Sequence, residues 1–474
     1  MADTPEILDL IEHQLGERAV LRDPADQARY ISDWAGDRLG MPLGVVRPAT
    51  TAEVAEVVTL CHEHGVRMTP QGGHSGLVAG ALPDRDGGEL VISLERLNRI
   101  RDLDPINFTM TVDAGCILET VKQAAAEHDC DFPLSLGAQG SCQIGGNIAT
   151  NAGGLNVLRY GMMRQLVLGL EVVLPDGRVW NGLHALHTDN RGYDVKQLFL
   201  GSEGTLGIVT GAVIKLVPRP EQSRTALLGL PSIEAVIALY GLARRDCSDL
   251  LTAFELIPRR CIELAMEATP ALRDPLDDAH PWYVLMEVAA TGPVDLSAML
   301  EHLLERGMER ELIVDGALAG SEAQSRQLWQ FRESMLEGQR LRGEHLRTDI
   351  SVPISAIPAF VEQATRTVMD ASPDSEIIAY GHIGDGNLHF NILPPTALDE
   401  AAKRHHLHEL EDKLFAVLDG FGGSISAEHG IGRTKQAPYL ARLSPLEHEM
   451  ARGIKALFDP EGLMNPGRIL PVER

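Results

Sequence analysis

The sequence predicts an α+β chain of two domains, and three observations carry that prediction. The chain has 474 residues, enough for more than one buried core at about 100–200 residues per domain. Strand-like and helix-like segments alternate too irregularly for a simple doubly wound sheet. Around Pro218 and Pro220 the character changes from short strands and glycine-rich loops to strands alternating with longer helices, which marks the boundary of the first domain.

The elements follow in order. Residues 50–65 predict a helix: Thr50 with Glu53 makes a capping box, Val54, Val57, Val58 and Cys61 form one apolar face, and Gly65 is the stop. A strand over 66–69, a glycine-rich loop over 70–80 and a strand over 90–94 come next. Phe108, Met110 and Val112 alternate with Thr109 and Thr111, the pattern of a half-buried strand. Residues 117–128 read as a helix, and 166–180 as two strands joined by a Pro-Asp-Gly turn. Beyond the boundary, Trp282, Val284, Met286 and Val288 mark a strand, and 321–343 is a long helix. Residues 379–393 read as a strand broken by glycines, and 443–458 as a helix before the closing NPGRIL.

Composition excludes several classes. A hydrophobic fraction of 44% rules out wholesale disorder. With 42 Lys+Arg against 67 Asp+Glu the net charge is −25, which argues against a nucleic-acid backbone or an anionic membrane as partner. A small anion held by a few local cations stays open. The N-terminus lacks the cationic start and apolar block of a secretory signal, and no apolar run approaches the ~18–20 residues that span a bilayer. Six cysteines without CxxC spacing read as reduced, buried thiols of a cytoplasmic protein.

Three glycine-rich segments carry the first chemistry. PQGGHSGLVAGA (70–81) can turn successive N–H groups toward a pyrophosphate, but has neither Walker nor GxGxxG order. LGAQGSCQIGGNIATNAGGLN (136–156) sets glycines among small and amide side chains, a composition suited to a ligand lying against the backbone. A third segment, 193–218, runs through Gly-Ser-Glu-Gly into a strand. The second chemistry lies in GHIGDGNLHFN (381–391) and SAEHGIG (426–432). Two histidines and a carboxylate suit an open metal site. On spacing alone, separately hydrogen-bonded core histidines remain the other reading.

In series, the three glycine segments resemble the FAD-binding domain of the vanillyl-alcohol oxidase/p-cresol methylhydroxylase family. The resemblance implies a two-domain fold with a PCMH-type FAD-binding domain over 1–220 (core about 40–218) and an α+β substrate-binding cap over 221–430. The segment 431–474 would return to the first domain. It places the FAD pyrophosphate on the 70–77 loop and flavin contacts on Gly72, Gly73, His74, Ser75, Gly76, Leu77, Gly137, Ser141, Gly145, Gly146, Thr150, Gly204, Ile208 and Asn465. Some relatives with Gly-Gly-His-Ser carry FAD covalently on the histidine; a non-covalent contact is the expectation for His74. Doubly linked relatives have Cys where this chain has Gln139.

The histidine motifs resemble those of the FAD-linked D-2-hydroxyacid dehydrogenases, above all those acting on D-2-hydroxyglutarate. This likeness implies a divalent metal, zinc first, on His382, His389 and Glu428, with His429 as catalytic base. In 329–353, Arg332 matches a substrate arginine. Leu336 stands where those enzymes have a threonine and Arg347 where they have a lysine. Asn391 matches a substrate-contacting asparagine. The implied reaction is oxidation of a D-2-hydroxyacid to the 2-oxo acid, D-2-hydroxyglutarate first and D-malate or D-lactate close behind. Electrons would pass to an electron-transfer flavoprotein or a quinone, and a homodimer is open as the assembly. A D-lactate or glycolate dehydrogenase is the alternative. A transferase of the alkyl-dihydroxyacetone-phosphate type shares the fold but lacks the His/His/Glu-His arrangement.

Overall fold

A computed structural model describes residues 4–472; the outermost ends of the expected domain ranges, 1–3 and 473–474, lie outside the described residues. The chain divides into two compact units. One comprises the chain to Gly154, Tyr160–Arg219 and the segment from Glu428 onward; the other comprises Leu155–Arg159 and Pro220–Ala427. Glu428 and His429 therefore fall in the first unit, whereas the expected cap range ran to 430.

The first unit holds two main sheets. A four-stranded sheet runs in the order Val20–Leu21, Gly44–Val46, Glu89–Ser93, Arg67–Gln71. The last three strands are parallel, so a crossover is needed, and the helix Thr51–His64 supplies it. Its Thr50 Oγ1 accepts from the Glu53 N–H at 3.1 Å, and Gly65 ends it at φ 64°. The capping box is offset: the Glu53 carboxylate reaches the Ala49 N–H rather than that of Thr50. Val54, Val57, Val58 and Cys61 are all fully buried.

The second sheet is antiparallel, in the order Ile100–Asp104, Thr109–Asp113, Ile208–Lys215, Val167–Val173, Val179–Gly182. Val167–Val173 and Val179–Gly182 form the hairpin that the Pro-Asp-Gly turn predicts. Thr109–Asp113 corrects the half-buried expectation. Thr109, Met110, Val112 and Asp113 are all buried, because this strand lies inside the sheet and Arg99 and Arg101 pair with Asp113. Phe108 stands outside the strand at φ 52°. The C-terminal tail closes the first sheet: Met464 bridges Met68 in parallel, and Asn465 N–H donates to the Met68 carbonyl at 2.8 Å.

The second unit is built on one seven-stranded sheet, in the order Asp315–Leu318, Gln222–Leu230, Trp282–Ala290, Leu251–Pro258, Glu376–His382, Asn387–Leu393, Ile350–Ser351. All of its pairings are antiparallel. The long helix Glu322–Arg340 is capped by Ser321 and contributes Leu328, Phe331 and Met335 to the core. Residues 379–393 are not one interrupted strand. Gly386, at φ 87°, lets the chain reverse after His382, and the two halves pair as a hairpin with Tyr380 opposite His389.

Candidate active site

In the first unit, the glycine segments pack chiefly on one another. A side chain at Gly73 would collide with the Ser141 carbonyl and approach Cys142 Cα to 2.9 Å; one at Gly145 would come within 2.7 Å of the Ala114 side chain. These two glycines permit the backbone segments to meet. Gly76, Gly137 and Gly146 differ, since a Cβ there would meet no protein atom within 4 Å. His74 adopts φ 58° and its ring packs edge-on against Tyr30 at 5.6 Å. Burial, reinforced by the Arg29 charge, lowers its pKa, so the imidazole is neutral.

The buried polar atoms of this unit that lack a hydrogen-bond partner include His74 Nδ1, Gln143 Oε1, Asn147 Oδ1 and Asn465 Oδ1. Buried polar groups are normally satisfied. Orphaned atoms on the expected FAD residues and their neighbours, together with open space over Gly76 and Gly146, fit a bound polar cofactor. Among the other expected contacts, Ser75 and Leu77 lie half-buried on the loop, and Ser141 Oγ donates to the Ala138 carbonyl. Thr150 Oγ1 donates back to the Gly146 carbonyl, while Gly204 and Ile208 are buried in front of and within a strand.

Two carboxylates pin the loop that carries Glu428 and His429. Glu203 accepts from the Ile431 and Gly432 N–H groups, each at 2.7 Å, and Glu428 Oε1 accepts from the Gly154 N–H at 2.6 Å. Burial raises the Glu203 carboxyl despite those two bonds. Asn465 Nδ2 donates to the Glu203 carbonyl at 2.6 Å, which ties the tail to the same corner. Glu203 and Gln143 were not singled out by the sequence.

In the second unit, the hairpin turn brings the His382 and His389 rings to 5.9 Å between centroids. His382 Nδ1 lies 2.6 Å from Glu255 Oε1, and His389 Nδ1 lies 3.1 Å from the Thr348 carbonyl. Both partners are acceptors, so each ring carries its proton on Nδ1 and its lone pair, when neutral, on Nε2. That is the form in which an imidazole binds a metal, with an acceptor behind it fixing the ring.

Arg332 is buried, and its Nε donates to Glu255 Oε2 at 2.8 Å. Its guanidinium lies 5.2 Å from the centre of the Tyr380 ring. Burial alone would raise the Glu255 carboxyl, but the His382 and Arg332 charges outweigh it and hold it at about 2. Asn391 is committed inside the protein: its Oδ1 accepts from the Thr348 N–H, and its Nδ2 donates to Gln339 Oε1 at 2.7 Å and Tyr380 Oη at 3.4 Å. Arg347 is exposed, and Leu336, one helical turn beyond Arg332, is 43% exposed. Glu255, Tyr380 and Gln339 escaped the sequence reading. The one available signal for Glu255 was a lone carboxylate in the apolar run TAFELIP (252–258), which implies a buried charge with partners.

Comparison with known proteins covers both units. The profile of the FAD binding domain matches residues 42–182, and that of the FAD linked oxidases, C-terminal domain, matches 219–469. The chain is 39% identical over 465 residues, 98% of its length and 97% of the relative's, to a D-2-hydroxyglutarate dehydrogenase of Xanthomonas citri pv. viticola. A D-2-hydroxyglutarate–pyruvate transhydrogenase of Saccharomyces cerevisiae is 35% identical over 454 residues, 94% of this chain and 89% of that one. Among solved structures, p-cresol methylhydroxylase with substrate bound superposes with a TM-score of 0.74 at 16% identity, covering 99% of this chain and 97% of that one, which speaks to the fold. Glycine segments, histidine hairpin and near-full-length identity converge: the chain belongs to the FAD-linked D-2-hydroxyacid dehydrogenases, flavoproteins built on the PCMH-type FAD-binding domain.

Proposed function

We propose that the chain oxidises D-2-hydroxyglutarate to the 2-oxo acid with His429 as base. The observation that carries this reading is the second unit's cluster, where two imidazoles with Nε2 lone pairs stand beside a guanidinium held on a shared carboxylate. His429 takes the 2-hydroxyl proton, imidazole being the side chain whose ordinary pKa lies near neutrality. Arg332 binds one substrate carboxylate and Arg347 the distal one, each able to offer two N–H groups. Asn391 supports the site by holding Tyr380 and Gln339 in place. FAD, when bound by the first unit, supplies the two-electron acceptor for the C2 hydride. A divalent metal, zinc first, supplies Lewis acidity that lowers the hydroxyl pKa, with His382, His389 and Glu428 as its ligands.

The electron acceptor is an electron-transfer flavoprotein or a quinone. The yeast relative's name adds pyruvate as a third acceptor to assay. A shorter substrate, D-lactate or D-malate, is the second reading, favoured by Leu336, which offers no hydrogen bond on the face it shares with Arg332.

Anaerobic stopped flow tests both readings. His429→Ala is expected to retain FAD and lose about 10²–10⁴-fold in flavin reduction rate; reduction at the wild-type rate rejects the base. A panel of D-2-hydroxyacids, followed by flavin bleaching near 450 nm, ranks the substrates. Fastest bleaching by D-lactate displaces D-2-hydroxyglutarate as substrate.

A further inference from the structure

We propose that Glu255 is a positioning residue that orients His382 and Arg332 together, so that one buried carboxylate sets the metal-ligand imidazole and the substrate guanidinium at once. The inference rests on the reading of His382 and Arg332 given above.

Three elements meet at this side chain. Glu255 belongs to Leu251–Pro258 and stands directly opposite His382 in the neighbouring strand, while Arg332 descends from the helix Glu322–Arg340. The Glu255 side chain is 1% exposed, and its two oxygens are divided, Oε1 to the imidazole at 2.6 Å and Oε2 to the guanidinium at 2.8 Å.

Each bond fixes something the chemistry needs. Donation from His382 Nδ1 settles the tautomer and the ring plane, so the Nε2 lone pair has one direction. Donation from Arg332 Nε settles the guanidinium plane, and among the described residues that is the hydrogen bond Arg332 makes. Its two Nη groups, the pair that meets a carboxylate side-on, are left for a ligand. The Tyr380 ring beneath the guanidinium buttresses that plane. Stability alone is a weak reason for such a cluster, because buried ion pairs are commonly replaceable by packed apolar residues without loss.

Glu255→Gln keeps the shape but has a single acceptor oxygen, and its amide N–H groups oppose whichever donor is left. The test uses the FAD-loaded full chain and Zn²⁺ as probe. Glu255→Gln is expected to bind Zn²⁺ about 10–100-fold more weakly in chelator competition. At saturating Zn²⁺ it is expected to recover kcat while KM for D-2-hydroxyglutarate stays raised, the mark of lost substrate binding rather than lost chemistry. A Glu255→Gln enzyme with wild-type Zn²⁺ affinity and wild-type KM overturns the inference and leaves the metal reading standing. Wild-type protein that binds no Zn²⁺, or His382→Ala with undiminished binding, overturns both. Should Glu255→Gln fail to retain FAD, Glu255→Asp, which keeps the charge and shortens the reach, is judged by the same two measurements.

Discussion

Glu171 is the clearest case of a single side chain whose environment sets its charge. Its Oε1 accepts from Thr51 Oγ1 at 2.6 Å, Arg101 Nη2 at 2.8 Å and Thr210 Oγ1 at 2.9 Å. Burial pushes its pKa up, and these partners outweigh burial and bring it below the usual carboxylate range. A depressed folded pKa means that the stabilisation is present above the unfolded value, near 4.5, and is lost as pH falls through the folded one. Wild-type Tm should therefore fall more steeply than that of Glu171→Gln as pH drops below about 5; parallel calorimetric curves would refute this. His74 yields a second prediction at this scale. The neutral, buried imidazole is expected to meet FAD non-covalently, so acid precipitation should leave all flavin in the supernatant. Flavin in the pellet would show a covalent bond. The residue roles stood in the sequence only through motif likeness; which oxygen of which partner each histidine meets did not.

At the scale of elements, the glycine segments separate into two kinds that look identical in sequence. Gly73→Ala is expected to lower both Tm and FAD content, because its methyl would strike the Ser141 carbonyl in the touching loop. Gly146→Ala has no protein atom to strike, so the apoprotein should keep its Tm while FAD affinity falls. Thermal unfolding of apoprotein and the ratio of absorbance at 450 to 280 nm check both, and a stable, flavin-free Gly73→Ala would reverse the assignment. The helix Thr51–His64 was legible because its cap, face and stop all lie within sixteen residues, Thr50 to Gly65. The hairpin at 376–393 was not. Alternation of apolar residues looks the same whether the chain continues or doubles back, and the reversal lies in the short turn Ile383–Asp385 closed by the left-handed Gly386.

Over the whole molecule, the chain's tail is part of the first unit's core. Arg468 is 1% exposed and sends Nη1 and Nη2 to the two oxygens of Glu89 at 2.9 and 3.0 Å. Removing this cation leaves a fully buried carboxylate with Thr69 Oγ1, the Asp84 N–H and the longer contact of Arg433 at 3.4 Å. Arg468→Met is therefore expected to cost about 3 kcal/mol and to release FAD on mild heating; calorimetry showing an unchanged Tm would contradict it. No helix among the described residues is long and apolar enough to cross a membrane. All six cysteines are buried and unpaired, and should resist a thiol reagent until the chain unfolds.

By itself the sequence determined the α+β class, the helices with local caps, the glycine and histidine motifs and the family they resemble. Those signals depend on residues a few positions apart, where periodicity and turn chemistry act. Only the tertiary structure decided that Glu255 meets His382 across 127 positions and that Arg468 meets Glu89 across 379. A buried charge needs a partner but does not say from where. The partner comes from whichever strand or helix the sheet order places alongside, and sheet order is set by packing of the whole unit rather than by local sequence.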